Sequence, residues 1–202
     1  MDEQYFENLL SIKTSGEQNV SEATEHYNRY EPTSYLALEK FFSEYTLAAT
    51  DSLVDFGCGM GRLNFYLNNK FKIKTTGIEM NPYFFNASIS NLNSYLTKYN
   101  DGEDKISFLN ILAEDYTPTN TDNKFYFFNP FSVQIFMKVL EKILISACKS
   151  KRNIDIILFY PSEDYIFFIE NCNLFTLTHE VKLPNFINDT SERFLVYKLT
   201  AF

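Results

Sequence analysis

Between Leu53 and Leu63 an apolar run closes on an acid, Leu53-Val54-Asp55-Phe56, and then breaks into three glycines at alternate positions, Gly57-Cys58-Gly59-Met60-Gly61, before Arg62-Leu63. This pattern dictates a buried strand that turns abruptly into a helix. Glycine adopts positive φ without steric cost and lets a ligand approach the bare backbone. The N–H groups opening the following helix, about Arg62 to Lys70, favour a carboxylate or phosphate. An anionic or zwitterionic ligand is therefore expected at this turn.

A second strand reads from Lys74-Thr75-Thr76-Gly77-Ile78 into Glu79-Met80, with Asn81 as helix N-cap and Pro82 at the first helical position. A carboxylate at that strand end, beside the glycine turn, suits a ribose diol. Each charge-assisted hydrogen bond there is worth roughly 1.5 to 3 kcal/mol. The dinucleotide fingerprint is Gly-x-Gly-x-x-Gly, whereas here the third glycine comes one position early. The spacing Asp-x-Gly-x-Gly-x-Gly resembles the first motif of the class I S-adenosylmethionine-dependent methyltransferases.

That resemblance covers roughly residues 30 to 200 and carries expectations with it. The fold implied is an α/β, Rossmann-like doubly wound sheet, mostly parallel and seven-stranded, with a C-terminal antiparallel hairpin. Residues 1–45 form a helical extension or lid and residues 46–202 the methyltransferase domain. Gly57, Gly59 and Gly61 would cradle the methionine end of S-adenosylmethionine, Asp55 would orient its ammonium directly or through water, and Glu79 would hold the ribose hydroxyls, with Cys58 and Met80 also among the cofactor-binding residues. In the resembling family an acid after the third strand often contacts adenine. Leu112 stands at the usual position here, and Glu114 follows two residues later. Asn129-Pro130-Phe131 is similar to the Asn-Pro-Pro-Tyr/Phe motif of enzymes that methylate amino nitrogens. There the Asn side chain and the next backbone carbonyl accept the target N–H groups, and the aromatic ring packs on the target. Asn129 also borders the cofactor in that reading. The second proline is absent, so oxygen, carbon and sulfur acceptors stay open, as does a strand-ending role for Asn129-Pro130. Two other classes remain: a non-catalytic binder of adenosyl ligands, and an NAD-dependent oxidoreductase, which the glycine spacing disfavours.

Composition bounds the partners. The 202 residues are 45% hydrophobic and include 21 Phe and 14 Tyr, enough for a substantial single core. Lys and Arg number 18 against 26 Asp and Glu, a net charge of −8. Affinity for phosphate backbones comes from Lys and Arg displacing counterions, so nucleic acid is disfavoured and a protein or small-molecule acceptor is expected. Three separated cysteines (Cys58, Cys148, Cys172) and two histidines (His26, His179) indicate neither a metal site nor a disulfide framework. The N-terminal residues lack the basic and apolar regions of a signal peptide, and no apolar run is long enough to span a bilayer. A cytoplasmic protein is expected.

Along the chain, Tyr5 to Ile12 suggests a short helix in a loosely held extension, with a flexible break at Thr14-Ser15-Gly16. His26-Tyr27-Asn28-Arg29-Tyr30-Glu31-Pro32-Thr33 leads into a helix with Tyr35, Leu38, Phe42 and Tyr45 on one face. A segment similar to Glu-Pro-Thr closes over the cofactor in several methyltransferases. Pro32 and Thr33 serve equally well as a plain helix start. Phe85, Ile89, Leu92, Leu96 and Tyr99 predict an amphipathic helix ending at Asn100-Asp101-Gly102. Strands follow at Lys105–Leu109, Lys124–Phe128 and Ile154–Tyr160. Val133, Phe136, Met137, Leu140, Ile143, Leu144 and Ala147 mark a core helix that Ser132 can cap. Another helix starts at Ser162-Glu163-Asp164. Leu174–Lys182 and Arg193–Leu199 read as the terminal hairpin.

Overall fold

A computed structural model describes residues 3–15, 28, 30–100 and 104–200. Gly16, His26, Tyr27, Arg29, Asp101 and Gly102, named in the sequence reading, lie outside the described residues. Seven strands form one sheet: β1 (Ser52–Phe56), β2 (Lys74–Ile78), β3 (Ile106–Leu109), β4 (Lys124–Phe128), β5 (Asp155–Phe159), β6 (Phe175–Lys182) and β7 (Arg193–Leu199). Their order is β3-β2-β1-β4-β5-β7-β6. β3, β2, β1, β4 and β5 pair in parallel, and β7 runs antiparallel to both β5 and β6. This is the expected doubly wound α/β sheet with its terminal hairpin. From β1 the chain winds outward through β2 and β3, then returns to place β4 on the other side of β1. The crevice at the carboxyl ends of β1 and β4 is the switch point where such sheets bind ligands.

Helices cover both faces, which is why β1, β4 and β5 read as continuous apolar runs. Strand residues alternate between two cores, as the two-residue period requires. Tyr126, Ile157 and Phe159 face α1 (Glu3–Leu10), α2 (Tyr35–Glu44), α3 (Arg62–Phe71) and α4 (Pro82–Leu96). Phe125, Phe127, Ile156 and Leu158 face α5 (Val133–Lys149) and α6 (Glu163–Asn171). The first core is tied by a stack of three rings: Phe194 lies 4.3 Å from Phe41 of α2 and 4.3 Å from Phe159 of β5. Each such pair adds about 0.5 to 1.5 kcal/mol beyond simple burial. At the amino ends of the strands, away from the switch point, Lys124 pairs with Asp155 at 2.6 Å, and Tyr45 donates to the same carboxylate.

Three local expectations are corrected. The described part of the N-terminal extension is docked: Phe6, Leu10 and Ile12 are buried in the first core. Polar contacts add to this, since Glu7 is 4% exposed and accepts from Thr14 N–H and Oγ1 at 2.6 Å and from Tyr35 at 2.9 Å. In α4 the deepest face is Phe84, Ser88, Asn91 and Tyr95, while the Phe85, Ile89, Leu92, Leu96 and Tyr99 stripe is half-buried. Hydrogen bonds from Asn91 to Met60 O and from Tyr95 to Asn68 Oδ1 bring that polar face against α3. Met137 of α5 turns outward, and Val139 takes its place in the core. The end caps follow the sequence more closely. Asn81 accepts from Tyr83 N–H with Pro82 in the first turn. Ser162 caps α6, and Ser132 stands at the N-cap of α5 without a capping side-chain bond.

Candidate functional site

The glycine turn joins β1 to α3 and has positive φ at all three glycines: 77° at Gly57, 55° at Gly59 and 85° at Gly61. Its glycines are needed for shape more than for donors. Gly57 N–H binds Ile78 O, Gly59 N–H binds the Glu79 carboxylate, and Gly61 N–H binds Cys58 O, each at 2.9 Å. The amides of the three glycines are therefore already spent inside the protein. A Cβ at Gly61 would meet Phe108 at 2.5 Å, and one at Gly59 would meet Tyr30 at 1.9 Å. Cys58 is buried within the turn, where burial pushes its thiol well above the usual range.

Two buried acids flank the turn. Glu79, at the carboxyl end of β2, accepts from Gly59 N–H at 2.9 Å through Oε2 and from Asn81 N–H at 2.7 Å through Oε1. Burial raises its pKa, and these backbone donors oppose the rise. Asp55, on β1, is 4% exposed and accepts no hydrogen bond among the described residues. Burial, with a smaller push from Glu79, drives its carboxyl up to about 8. A buried acid of this kind is satisfied either by a proton or by a cation brought to it.

The β4 exit lies against the same turn. A Cβ at Gly57 would meet Pro130 Cβ at 2.7 Å. Asn129 is half-buried and holds φ at 38°, an uncommon conformation for a residue other than glycine, though one that Asn tolerates better than most. At the end of β5, Tyr160 is also left-handed at 48° and precedes Pro161. Asn28 donates its side-chain amide to Asn129 O at 2.6 Å and its backbone N–H to Pro130 O at 3.0 Å. Thr33 bonds Tyr126 Oη at 2.7 Å, and its carbonyl accepts from Arg62. The segment before α2 is thus pinned across the β1–β4 crevice.

Asp55, Gly57, Cys58, Gly59, Gly61, Glu79, Met80, Asn129 and Pro130 share this carboxyl edge. Two expected site residues make other contacts. Phe131 is 2% exposed, edge-on to Phe127 in the second core, and is not placed to pack on an acceptor. Glu114 lies in a short 3-10 turn and approaches Lys138 of α5 at 3.8 Å. Several residues escaped the sequence reading. Tyr30 covers Gly59, and Asn110 donates to both Glu79 O and Met80 O, bracing the backbone after β2. Arg62, at the start of α3, ties the turn to α1 through Thr14 at 2.6 Å, Glu7 at 3.6 Å and Glu3. Only the place of Arg62 beside Gly61 could have singled it out.

Comparison of the fold with solved structures gives a consistent answer. The pyocyanin biosynthetic protein PhzM superposes with a TM-score of 0.61 at 13% identity, over 82% of this chain and 55% of that one. A Pyrococcus abyssi tRNA (uracil-54, C5)-methyltransferase, in complex with S-adenosylhomocysteine, gives 0.58 at 14% identity, over 85% and 40%. A Thiobacillus denitrificans S-adenosylmethionine-dependent methyltransferase, also with S-adenosylhomocysteine, gives 0.58 at 12%, over 85% and 93%. The fold is that of the class I methyltransferases. The chain spans about half or less of the first two of these structures. No family model matches the sequence, and no curated protein matches it.

The residues at this edge can be set against the S-adenosylhomocysteine that two of the compared structures carry. Asp55 lacks a cationic or hydrogen-bonding partner among the described residues, which fits an ammonium. The missing side chain at Gly61 makes room for the core rings Phe108 and Phe65, the one at Gly59 leaves the space that the Tyr30 ring now takes, and the Glu79 oxygens retain lone pairs beside the turn. Among the described residues no group of His, Cys, Asp and Glu is arranged to hold a metal, and no helix is long and apolar enough to cross a membrane.

Proposed function

We propose that this chain is an S-adenosylmethionine-dependent methyltransferase whose acceptor is an amino or amide nitrogen of a protein or small molecule. The observation that carries the reading is Asp55, a buried carboxyl without a hydrogen bond among the described residues, at a glycine turn against which the Asn129-Pro130 exit is packed. S-adenosylhomocysteine in two of the compared structures supports the cofactor. Asp55 would receive the ammonium, the glycine turn the methionine end, and Glu79 the ribose hydroxyls. When bound, S-adenosylmethionine supplies an electrophilic methyl on a sulfonium leaving group. Positioning is then most of what the protein must provide. Asn129 Oδ1 and Pro130 O are acceptors suited to fixing an N–H-bearing nitrogen at the edge of the cofactor turn. The net charge of −8 argues for a protein or small molecule over a polynucleotide.

A second reading, a binder of adenosyl ligands that performs no transfer, is favoured by Phe131. The aromatic side chain that would pack on an acceptor is buried in the core. Calorimetry with S-adenosylhomocysteine and with NAD decides the cofactor, and tight NAD binding without a response to S-adenosylhomocysteine would overturn both readings. Incubating the protein with methyl-labelled cofactor and cell lysate, then sorting label into protein, RNA and small molecules, decides between enzyme and binder. Label in none of the fractions favours the binder. Label in RNA rejects the acceptor class.

A further inference from the structure

One short segment of the chain touches both halves of the site. The Tyr30 ring lies flush on Gly59, close enough that a Cβ there would meet Cε2 at 1.9 Å. It stacks on Phe84 at 4.8 Å and 24°, and its hydroxyl donates to Thr14 O at 3.0 Å. Thr14 is itself fixed by Glu7 and Arg62. Two residues before Tyr30, Asn28 holds the carbonyls of Asn129 and Pro130 at 2.6 and 3.0 Å. The room that Gly59 keeps over the turn and the carbonyl that an acceptor nitrogen needs are thus both taken by the protein.

We infer that Asn28 and Tyr30 form a self-occluding strap, displaced when the cofactor settles on Gly59, and that this displacement frees Pro130 O so that cofactor binds before acceptor. The inference rests on the cofactor reading above. The ring and a ligand resting on Gly59 cannot share the space, because no gap separates the ring from the turn. Among the described residues, the contacts that hold the strap include a hydroxyl bond, a ring pair and two amide bonds, all between uncharged groups. Charge-assisted bonds from a ligand to Asp55 and Glu79 outcompete contacts of that kind. At most about 7 Å of chain joins Asn28 to Tyr30, so a backbone movement that takes Tyr30 beyond that reach draws Asn28 off its two carbonyls.

The test is S-adenosylhomocysteine titration of the full chain as wild type, Tyr30→Ala and Asn28→Pro, with hydrogen exchange followed across residues 57–61. Proline removes both Asn28 donors without touching Gly59. Asn28→Ala, which keeps the backbone donor, replaces it if the proline variant does not fold. A closed strap lowers apparent affinity by the fraction of open molecules, so each variant should bind at least about threefold tighter and exchange faster at the turn. Wild-type binding with equal or weaker binding by the variants would overturn the strap and leave the cofactor reading standing. If no form binds, the cofactor reading fails, and exchange alone judges the occlusion. Unchanged protection at residues 57–61 would then overturn the strap as well.

Discussion

Gly59 donates its backbone N–H to the Glu79 carboxylate at 2.9 Å, so the acid at the end of β2 is a structural part of the turn it faces. The other Glu79 oxygen accepts from Asn81 N–H at 2.7 Å, at the start of α4. Glu79→Gln turns one of these acceptors into a donor opposite an N–H. It should lower apo stability by about 1 to 3 kcal/mol and weaken S-adenosylhomocysteine binding as well. Denaturation and calorimetry on the one variant check both. Unchanged apo stability would mean that the N–H bonds contribute nothing net and that the carboxylate serves only a ligand.

Asp55 gives a pH dependence whose sign is fixed by its environment. Its carboxyl rises from 3.8 to about 8 through burial and the nearby Glu79. The folded apo protein therefore holds a proton that the unfolded chain releases. The resulting stabilisation is complete below about pH 4 and is lost as pH rises through about 8. Asp55→Asn should flatten this slope in denaturation midpoints taken across the range. A ligand ammonium pulls the same carboxyl down, so binding near pH 7 should release about one proton, read from calorimetry in buffers of different ionisation enthalpy. Proton uptake, or release that persists in Asp55→Asn, would remove Asp55 from the ligand site.

The docking of α1 depends on Arg62, whose guanidinium is buried among Glu7, Glu3 and Thr14 and lies 4.5 Å from the Tyr35 ring centroid. Arg62→Leu leaves the buried Glu7 without its cation, held by the hydrogen bonds from Thr14 and Tyr35, and breaking a buried pair in this way typically costs about 3 to 5 kcal/mol. Chemical denaturation should register a loss of that size, and limited proteolysis should release the N-terminal residues first. If stability falls by less than about 1 kcal/mol, Phe6 and Leu10 hold the helix by apolar contact alone.

The sheet was legible because its signals are local. Leu53–Phe56, Phe125–Phe128 and Ile156–Phe159 are apolar runs flanked by turn residues, and Asn81-Pro82 and Ser162 announce helix starts through their own chemistry. The positions of Asp55, Glu79 and Asn129 followed, since strand ends on one sheet edge converge whatever the packing. What the sequence hid are relations across long separations. The Glu31-Pro32-Thr33 resemblance hinted that the segment next to Tyr30 lies near the site, but not that the ring rests on Gly59, and nothing near Glu7 signals that it sits beside Arg62. Phe131 misled the reading for a similar reason. Its motif suggests a ring facing the site, but the left-handed turn at Asn129 and the closeness of α5 put the side chain under the strand instead.

Asn129 separates an enzyme from a binder, and its backbone decides which substitution gives a clean answer. At φ 38° an alanine is strained by about 1 to 2 kcal/mol, whereas glycine adopts the conformation freely. Asn129→Ala therefore mixes loss of the amide with loss of stability, and Asn129→Gly removes the amide alone. If the side chain orients an acceptor nitrogen, its interaction matters in the transition state more than in cofactor binding. Both variants should then lose at least about tenfold in turnover per folded molecule, or 1.4 kcal/mol, with S-adenosylhomocysteine affinity nearly unchanged. If Asn129 is present only because it tolerates the left-handed turn, the glycine variant should keep full turnover and the alanine variant should lose only stability. Turnover against the labelled acceptor, cofactor affinity and denaturation on the pair distinguish these outcomes. Full activity in Asn129→Gly would end the nitrogen-acceptor proposal and direct the search to oxygen, carbon or sulfur nucleophiles.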